Sequence, residues 1–583
     1  MSWSLYKPDS IDADLYKERI RNLAEKCNTY PFLVQILINR NYSDYEIEKI
    51  LLAPMDLLSK TRLNGSLKAG NMIIDSLEKN ENIAIFADYD CDGITSGYVM
   101  TDGLRKVRDA LNSISKIIVY YPERTEGYGL SLDFAKRCVD KKISLVITVD
   151  NGISALEPTI YLKKHNIKVI ITDHHPFSSN EGCKDILNYA DVVVNPAAIE
   201  EDSNRSYLAG VGVAWDVLRC ITCDIRPDIG INADKYIDIV ATGTISDVMP
   251  MSAENMAIVK AGLFYVNHVL TSSAFLKEYK KDSLCLTTKD IAWTIAPEIN
   301  AAGRIDSVWV AAKALFDDID VKKNVSKLGR INYKRKQLTE LVMDYFHNSI
   351  VLNDDRFIIC KISNQNPVGL LGIIAGKMMD YYPLYPCFAC IEDLSDGVLR
   401  GSVRCNPIVP LKPILSEAKN KDLIISYAGH DSACVLNIEA KKERDFVNFF
   451  NERYNSLDIV LPDVSESILY YDYESTLSFV NENFMELINS VPYGSGFEPV
   501  IRINNLLVTE SKQTKSGGGF LKLSDNTATK RVFVFKDMFG KYLSIGKPNQ
   551  IDVLGTIEQD FMAAKPRATI RITDMHISNA KME

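Results

Sequence analysis

Apolar and polar positions alternate in two different ways along this chain, and the change divides it into predicted segments. Residues 1–80 carry apolar residues at helical spacing, as in SDYEIEKILLAPMDLLS, and predict a helical N-terminal segment. From residue 81, short β-branched runs alternate with amphipathic stretches; the predicted strands are NIAIFAD, KIIVYYP, SLVITVD, KVIITD and DVVVNP. This order predicts an α/β fold whose residues 81–305 form a parallel, doubly wound sheet with sites at the carboxyl ends of its strands.

The second half of the chain predicts three further segments. Residues 306–349 include a long charged helical stretch that we interpret as a connecting helix. Residues 350–455 predict a second α/β domain, with RFIICKI, LLGIIAGKMMD and PCFACIE as strand, helix and strand. Residues 456–583 change to short alternating strands separated by glycine-rich turns, which is typical of a small β-barrel.

Composition is that of a globular protein, with 46% hydrophobic and 25% charged residues. No apolar run approaches the length of a membrane span and the N-terminus does not resemble a secretory signal, so we expect a cytoplasmic protein without a membrane partner. Twelve cysteines, several within apolar runs, indicate reduced and packed thiols. The C-x-x-C pairs Cys220/Cys223 and Cys387/Cys390 leave a zinc site as the alternative, but they are far apart and the second lies in a predicted strand.

Net charge is −9, which argues against indiscriminate nucleic-acid binding, but the charge is unevenly distributed. Residues 501–583 contain 13 lysines and arginines against 8 acids, a net charge of +5. This segment is either a local polyanion-binding module or a solvated basic face, and charge alone leaves both open.

Acids cluster after the first predicted strand of the sheet. Asp88, Asp90 and Asp92 alternate in FADYDCDGITS. Alternate positions of an extended segment share one face, so at least two of these carboxylates converge. Because three unneutralised acids so close together repel one another, a divalent cation is the simplest way to hold them.

Three more segment ends carry candidate ligands. Asp150 ends the strand in VITVDNGIS, His174 and His175 end the strand in KVIITDHH, and Asp247 follows a predicted Gly-Thr turn in VATGTISDVMP. A single aspartate after a strand is more often a cap or turn residue. Together, however, these ends predict a centre for two cations, and carboxylates mixed with imidazole favour Mn²⁺, Mg²⁺ or Fe²⁺ over structural zinc.

The motifs DYDCDG, VDNG, TDHH and GTISDVMP, in this order and spacing, resemble the DHH phosphoesterase superfamily. The resemblance extends over nearly the whole chain to the single-strand-specific 5′→3′ DNA exonucleases of that superfamily, through RTEGYGL, LAGVGVAWDV, APEINAAGRIDS, GLLGIIAGK, LRGSVR, AGHDSA and VPYGSGFEP. It implies a DHH catalytic domain at 81–305, a DHHA1 domain at 350–455 and an OB-type nucleic-acid-binding barrel at 456–583. It also implies stepwise release of 5′-mononucleotides in DNA repair and recombination.

Carried over by motif, the resemblance implies a catalytic set that holds two divalent ions, Mn²⁺ or Mg²⁺. The implied ligands are Asp88, Asp90, Asp150, His174 and Asp247. His175 would lie beside them, near the scissile phosphate or as a further ligand. Asp92 either binds metal or orients the loop.

The same resemblance implies a second set of residues that binds substrate: Arg124, Tyr128, Arg304, Ser402, Arg404 and His430. A guanidinium binds phosphate through two donors, and a tyrosine ring can stack on a base. Taken singly, each arginine is more often a surface or salt-bridge residue, Tyr128 could be a packed ring beside a turn, and His430 could be a core histidine. Lys377 is a weaker candidate for a phosphate contact.

Some positions depart from the family pattern. Ala428-Gly429-His430 replaces a Gly-Gly-His motif, Pro367-Val368 stand where a histidine is usual, and the segment containing Tyr128 is a residue shorter. In the predicted barrel, Phe520, Phe533 and Phe535 are candidates for base stacking, and alternation in VFVFK places at least one of the last two in the core.

These features predict an exonuclease that acts as a monomer on single-stranded DNA. The resemblance implies a single-stranded-DNA-binding protein and a helicase as partners. One alternative is a small-substrate DHH phosphodiesterase acting on nanoRNA or cyclic dinucleotides. Another is a scaffold that has lost its ligands, which the complete ligand set disfavours.

Overall fold

The computed structural model describes most of the chain, and strands and helices are numbered here in chain order. The described residues are 2–6, 13–58, 61–177, 183–199, 204–269, 273–281, 285–349, 355–429, 432–457, 468–491, 498–515, 517–560 and 567–578. Before the first large sheet come β1 (Ser2–Leu5), α1 (Ala13–Lys26), α2 (Pro31–Asn39), α3 (Asp44–Leu52) and α4 (Ser66–Glu78).

The first lobe is built on five parallel strands with helices between them. Its elements are β2 (Ile83–Ala87), α5 (Cys91–Ala110), β3 (Ile117–Tyr120), α6 (Leu132–Asp140), β4 (Leu145–Val149), α7 (Leu156–Lys164), β5 (Lys168–Thr172), α8 (Ile186–Tyr189), β6 (Val192–Val194), α9 (Pro196–Ile199), α10 (Gly210–Arg219), α11 (Ile237–Ser246), α12 (Ala253–His268), α13 (Ala274–Lys280), α14 (Thr288–Asp290) and α15 (Ala296–Ile305). The strand order is β3-β2-β4-β5-β6. The predicted parallel α/β sheet is therefore confirmed.

Register explains why the polar segment ends meet. Ala87 of β2 is paired with Val149 of β4, and Val149 with Thr172 of β5. All residues of β2 and β4 are buried, as expected for strands covered by helices on both faces. The strand order reverses between β2 and β4, and ligands of such sheets bind in the crevice at that reversal.

Two helices lead from the first lobe to a second, mixed sheet. They are α16 (Val308–Phe316) and α17 (Val321–Ser349). The second lobe contains β7 (Ile358–Ile362), α18 (Leu371–Tyr381), β8 (Cys387–Asp393), β9 (Val398–Arg404), α19 (Leu411–Asn420), β10 (Ser426–Gly429), β11 (Ala433–Glu439) and α20 (Glu443–Asn455). The strand order is β10-β11-β9-β8-β7, with only β7 and β8 parallel.

The cysteines of the second C-x-x-C pair lie on opposite faces of this sheet. Cys387 packs in the cluster formed with α17 and α18, whereas Cys390 packs in the cluster formed with α19 and α20. Strand geometry thus keeps the two sulfurs from sharing one ion. In the other pair Cys220 is buried and Cys223 is exposed.

The C-terminal part of the chain forms a third sheet. Its elements are β12 (Ile468–Tyr471), β13 (Tyr473–Ser475), α21 (Glu482–Asn489), β14 (Ile501–Gln513), β15 (Gly519–Ser524), β16 (Thr529–Val534), α22 (Lys536–Ser544), β17 (Gln550–Gln559) and β18 (Ala568–Ile577). The order is β16-β15-β14-β17-β18, and β13 also pairs with β14. Within the part of the chain that the structure describes, no strand pairing closes this sheet into a barrel.

The side chains of VFVFK that face the core differ from the predicted ones. Val532 and Val534 point into the core, each 1% exposed, whereas Phe533 is partly exposed and Phe535 is 50% exposed. The expectation that Phe533 or Phe535 fills the core is wrong, because both lie on the outer face. All four side chains are apolar, so composition does not reveal which alternate set faces inward.

The N-terminal segment shares its core with the C-terminal sheet. Strand β1 pairs in parallel with β12. Phe32 of α2 packs against Phe484 of α21, with ring centroids 4.6 Å apart. One continuous hydrophobic cluster joins α1–α3 to β14–β18. Among the described residues, no helix has the length and apolar character required to cross a bilayer.

Candidate metal centre

Two buried acids lie where the strand order of the first sheet reverses. Asp88 directly follows β2 and Asp150 directly follows β4, and their side chains are 3% and 2% exposed. One carboxylate oxygen of each, Oδ1, is buried without a hydrogen-bond partner. Because buried acceptors are nearly always satisfied, two unsatisfied oxygens in one crevice indicate a ligand position.

The third acid of this group begins the next helix. Asp90 is the N-cap of α5, and its Oδ1 accepts a hydrogen bond from the Gly93 amide at 3.0 Å. Carboxylate oxygens of Asp88, Asp90 and Asp150 all lie within 4.8 Å of one another. The convergence expected from alternation in DYD is therefore present.

Asp92 faces a different helix. Its Oδ2 accepts from the amide of Gly210 at 2.7 Å and its Oδ1 from the amide of Val211 at 3.0 Å. Both oxygens thus bind the amino end of α10, which favours anions. Asp92 Oδ2 also lies 3.8 Å from His174 Nε2. The contacts of Asp92 fit an orienting residue that holds α10 against the site.

Asp150 reaches the site through an unusual backbone conformation. Its φ of +60° is in the left-handed region, which a short polar side chain tolerates better than most. The start of α10 approaches so closely that a Cβ at Gly210 would lie 2.6 Å from the Asp150 Cβ. Asp150 Oδ1 lies 3.1 Å from His174 Nε2.

The two histidines are positioned by the buried aspartate that precedes them. Asp173 Oδ1 accepts from the His174 amide at 2.7 Å and contacts His175 Nδ1 at 2.8 Å. Its Oδ2 accepts from the Ile153 amide at 2.9 Å. Burial alone would raise the pKa of Asp173, but the hydrogen bond and charge of His175 hold this pKa below its usual value.

The His174 ring is neutral. Burial, together with the neighbouring charge of His175, lowers the pKa of His174 to about 4. Its short distances to acids are therefore not ion pairs. The ring hydrogen-bonds to the backbone of Leu208, and Nε2 is buried without a partner. A neutral imidazole with one nitrogen anchored and the other free is typical of a metal ligand.

His175 has the opposite character. Burial lowers its pKa, but the hydrogen bond and charge of Asp173 outweigh this and raise the pKa of His175 to about 9. The ring is partly exposed, and the hydroxyl of Tyr128 lies 3.3 Å from Nδ1. His175 is therefore a cation at the open side of the centre.

Asp247 comes from a helix end. The expected Gly-Thr turn before it is wrong, because Gly243 and Thr244 both lie inside α11. The glycine permits close helix packing: a Cβ at Gly243 would lie 2.5 Å from Thr95 Oγ1 of α5. Asp247 follows the last residue of α11, and its Oδ2 lies 3.6 Å from His174 Nε2.

Burial and mutual repulsion shape the electrostatics of the carboxylates. Burial, together with the negative charge of Asp90, raises the pKa of Asp88 well above its usual value. Burial and the negative charge of Asp92 raise the pKa of Asp150 in the same way. The pKa of Asp92 rises to about 7 and that of Asp247 to about 8, again through burial first and neighbouring acids second. A bound cation would lower these pKa values again, because it favours the charged form of every acid around it.

The donor set fits divalent cations. Three overlapping groups each bring their potential ligand atoms within 4.8 Å: Asp88, Asp90 and Asp150; Asp92, His174 and Asp247; and Asp150, His174 and His175. Oxygen donors predominate, with imidazole nitrogen among them, which suits Mn²⁺ and Mg²⁺.

The predicted substrate-binding arginine of the first lobe lies at the contact with the second lobe. Arg304 is in the last turn of α15, and its Nη1 donates to the carbonyl of Gly369 at 3.2 Å. The backbones approach closely, since a Cβ at Gly369 would lie 2.4 Å from the Arg304 carbonyl oxygen. Burial, together with the charge of Arg124, lowers the pKa of Arg304 to about 9.

Ser402 and Arg404 lie two residues apart on β9 and therefore point to the same face. Arg404 Nη1 donates to Ser402 Oγ at 2.6 Å. A Cβ at Gly372, in the first turn of α18, would lie 2.9 Å from Arg404 Nη2. The pair thus faces the amino end of α18, whose amides and dipole favour anions.

The remaining predicted contacts are placed as follows. The Arg124 guanidinium lies over the ring of Tyr89, 4.2 Å from its centroid, and Tyr128 is 54% exposed beside His175. Lys377 is exposed on α18. His430 lies outside the described residues.

Two residues of the site were not assigned a role from the sequence. Asn300 of α15 accepts a hydrogen bond from the Cys91 amide at 2.8 Å and so connects α15 to the first residue of α5. Asp173 orients both histidines, as described above. Each belongs to a quoted motif, NAAGR or TDHH, but only the fold reveals its partners.

Known proteins are similar to this chain in sequence and in fold. A profile of the DHH family, N-terminal domain, matches residues 82–244. The single-stranded-DNA-specific exonuclease RecJ of Haemophilus influenzae is 27% identical over 83% of this chain and 84% of its own length.

Solved structures show the same architecture. RecJ from Thermus thermophilus in complex with Mn²⁺ superposes with a TM-score of 0.76 at 22% identity, covering 99% of this chain and 80% of that one. A structure of exonuclease RecJ bound to manganese gives a TM-score of 0.58 at 25% identity, covering 70% of this chain and 98% of that one. The fold and the site of residues 82–244 agree with this resemblance to the DHH family. Over most of its length, the chain is similar to single-stranded-DNA-specific exonucleases named RecJ.

Proposed function

We propose that this protein is a metal-dependent, single-strand-specific 5′→3′ DNA exonuclease that releases 5′-mononucleotides in DNA repair and recombination. The observation that carries the proposal is the convergence of buried, unsatisfied ligand atoms from Asp88, Asp150 and His174 at the strand-order reversal. The similarity to RecJ exonucleases over most of the chain supports the choice of substrate.

In this proposal five side chains hold two divalent cations, Mn²⁺ or Mg²⁺. The ligands are Asp88, Asp90, Asp150, His174 and Asp247. When bound, two such cations lower the pKa of water and stabilise an in-line displacement at phosphorus. Asp150 belongs to two of the three overlapping groups, the one with Asp88 and Asp90 and the one with His174 and His175.

His175 and Tyr128 act at the open side of the centre. Asp173 keeps the His175 ring protonated and fixes its orientation through Nδ1. A cationic ring in this position attracts the scissile phosphate and stabilises the negative charge that develops on it. The exposed ring of Tyr128 is available to stack on a base of the entering strand.

The 5′ end of the strand binds at the seam between the lobes. Arg304, Ser402 and Arg404 supply charged and hydroxyl donors there, beside the amino end of α18. Arginine binds a terminal phosphate through paired donors. A pocket at a fixed distance from the metal centre explains release of one nucleotide at a time.

We propose that the C-terminal sheet is an OB-type module that binds the single strand. Its outer face carries an aromatic strip formed by Phe520, Phe533 and Phe535, in which neighbouring ring centroids lie 5.2 and 5.3 Å apart. Arg531 lies over Phe520 and Arg571 over Phe535, at 4.3 and 5.1 Å. Exposed rings interleaved with cations are the usual platform for unstacked bases.

The proposal includes the cellular setting. An enzyme specific for single strands depends on a helicase to open duplex and acts where a single-stranded-DNA-binding protein is present. All proposed ligands come from one chain, which fits a monomer. The described cysteines are thiols rather than disulfides, as is usual in the cytoplasm.

Substrate length separates this function from the small-substrate alternative. Cleavage of a long single-stranded oligonucleotide in Mn²⁺ should be far faster than cleavage of a dinucleotide, and doubly substituted F533A/F535A protein should lose activity on the long strand only. Preferential hydrolysis of dinucleotides, unchanged in that variant, would identify a small-substrate phosphodiesterase instead.

A further inference from the structure

One exposed face of the connecting helix α17 is strongly basic. Residues 321–339 contain seven lysines and arginines and no acid, in a chain whose net charge is −9. Five of these cations are exposed and are called the basic face below: Lys322, Lys323, Lys327, Arg330 and Lys334. The last four are spaced by three or four residues, so they form one row along the helix, about 16 Å long at about 1.5 Å per residue.

The basic face points away from the protein core. Leu328 and Asn332, which lie on the opposite side of α17, are buried. Within the part of the chain that the structure describes, none of the five cations forms an ion pair. Like charges at this spacing repel one another and reduce the stability of a helix. The row therefore does not stabilise α17, and its uncompensated charge favours an external polyanion.

A groove and exposed apolar side chains adjoin the basic face. The groove lies at the start of α17 and is lined by three of the cations, Ser326, Ile319 and one acid, Asp320. Tyr333, 65% exposed, lies one turn after Arg330, and Leu341, also 65% exposed, continues the row beyond Lys334. The bases of a single strand can stack on such side chains, whereas the bases of a duplex are paired inside it. Cations next to exposed apolar groups therefore fit a single strand better than a duplex.

We propose that the basic face of α17 is a second binding surface for single-stranded DNA, which holds the distant part of a long substrate while its 5′ end lies in the cleft. This inference rests on the proposed function and goes beyond it, because the basic face shares no residue with the metal centre or with the other proposed strand-binding residues. Lysine and arginine bind phosphates without regard to sequence, and Tyr333 adds a stacking contact.

This surface makes binding depend on strand length. A short strand occupies the cleft and the C-terminal sheet and does not extend to the outer side of α17. A long strand reaches the basic face as well. The proposal therefore predicts that substitutions on the basic face weaken the binding of long strands selectively.

The test compares short and long strands without cleavage. The short oligothymidylate has about 15 nucleotides, the site size of one nucleic-acid-binding module, and the long one has about 60. Both carry a 5′-phosphate and a 3′ fluorophore and are titrated with full-length protein in EDTA, and fluorescence anisotropy gives the dissociation constants. We expect K323E/K327E/R330E to weaken binding of the long strand at least about tenfold and binding of the short strand less than about twofold. The salt dependence of long-strand binding should fall by about two units of slope, since each phosphate contact of a single strand contributes about 0.7.

The matched control is K116E/K141E/K164E, which makes the same change in net charge at exposed lysines near the amino ends of β3, β4 and β5. It should leave the ratio of the two affinities as in wild type. The neutral variant K323Q/K327Q/R330Q should lower long-strand affinity in the same selective way, to a smaller extent, and decides if the charge-reversed protein does not fold.

Three results would overturn the inference or its basis. An unchanged affinity ratio in both basic-face variants, or an equal selective loss in the control, would overturn the second binding surface. A duplex of the same length that loses more affinity than the single strand, with no effect of Y333A on either, would assign the basic face to duplex and overturn the single-strand proposal. Absence of Mn²⁺-dependent cleavage of the short strand by wild-type protein would instead overturn the proposed function.

Discussion

At the scale of single residues, the proposed metal centre depends on how the fold orients each proposed ligand. The left-handed backbone conformation of Asp150 directs its side chain into the site, and the absence of a side chain at Gly210 leaves room for it. His174 is anchored to the Leu208 backbone, which leaves its Nε2 free. The carboxylates repel one another without a cation, so metal binding and stability of this site are coupled.

Replacing His174 with alanine should remove one of the proposed metal ligands. We expect H174A to lose at least about 100-fold in Mn²⁺-dependent cleavage, a loss at least as large as those seen when supporting residues of metal ligands are changed. Its melting temperature should also rise less than that of wild type when Mn²⁺ is added. H165A, which alters an exposed histidine on the surface after α7, should behave as wild type. Full Mn²⁺ stabilisation of H174A would remove His174 from the ligand set.

Lys260 of α12 gives a pH-dependent prediction for stability. Burial lowers the pKa of Lys260 to about 8, whereas the unfolded chain has the usual 10.5. Between these pH values the unfolded state binds the extra proton, so wild-type stability should rise with pH relative to K260M, by on the order of 2 kcal/mol. Thermal melts of both proteins across this range measure the difference. The control K334M should show no such slope relative to wild type; a parallel response of K260M would contradict the prediction.

At the scale of elements, local sequence patterns predicted the positions of the strands well, but they predicted less well which face of a strand is buried. All five strands of the first sheet follow from β-branched runs, and the long helix α17 follows from its charged amphipathic pattern. The phase of VFVFK did not follow, because valine and phenylalanine are both apolar and only the register against β15 decides which pair faces outward. The helical position of Gly243 was missed because the sequence alone does not distinguish a glycine that permits close helix packing from a glycine that forms a turn.

The exposed aromatic strip predicts a measurable contribution to strand binding. F535A should weaken binding of a single-stranded oligonucleotide at least about fivefold, since stacking of one base on a ring contributes about 1 kcal/mol or more. Fluorescence anisotropy in EDTA measures this without cleavage. F264A removes an aromatic residue of α12 that is 60% exposed and should leave affinity unchanged. Equal affinities of F535A and wild type would exclude the strip as a stacking platform.

At the scale of the whole molecule, the two ends of the chain form one structural unit. Strand β1 pairs with β12, and α1–α3 share a core with β14–β18. Sequence periodicity indicated a helical N-terminus and a β-rich C-terminus, but such patterns give no information on which distant segments pack together. The proposed metal centre was more predictable, because Asp88, Asp150 and His174 follow or closely follow parallel strands whose carboxyl ends must meet.

This shared core predicts cooperative unfolding of both chain ends. F32A removes a ring that packs against Phe484 and Tyr473, and should cost about 3 kcal/mol in that unit. Hydrogen exchange should then accelerate together in α2 and in β14, while β4 keeps its protection. Acceleration confined to α1–α3 would show that the N-terminal helices form a separate unit.

The most direct test of the proposed function is digestion of end-labelled DNA in Mn²⁺, with single- and double-stranded substrates labelled at either end. We expect a 5′-labelled single strand to release labelled mononucleotide from the first cleavage onward, a 3′-labelled strand to shorten progressively from its 5′ end, and blunt duplex to resist. Equal digestion of duplex, or shortening from the 3′ end, would contradict the proposal.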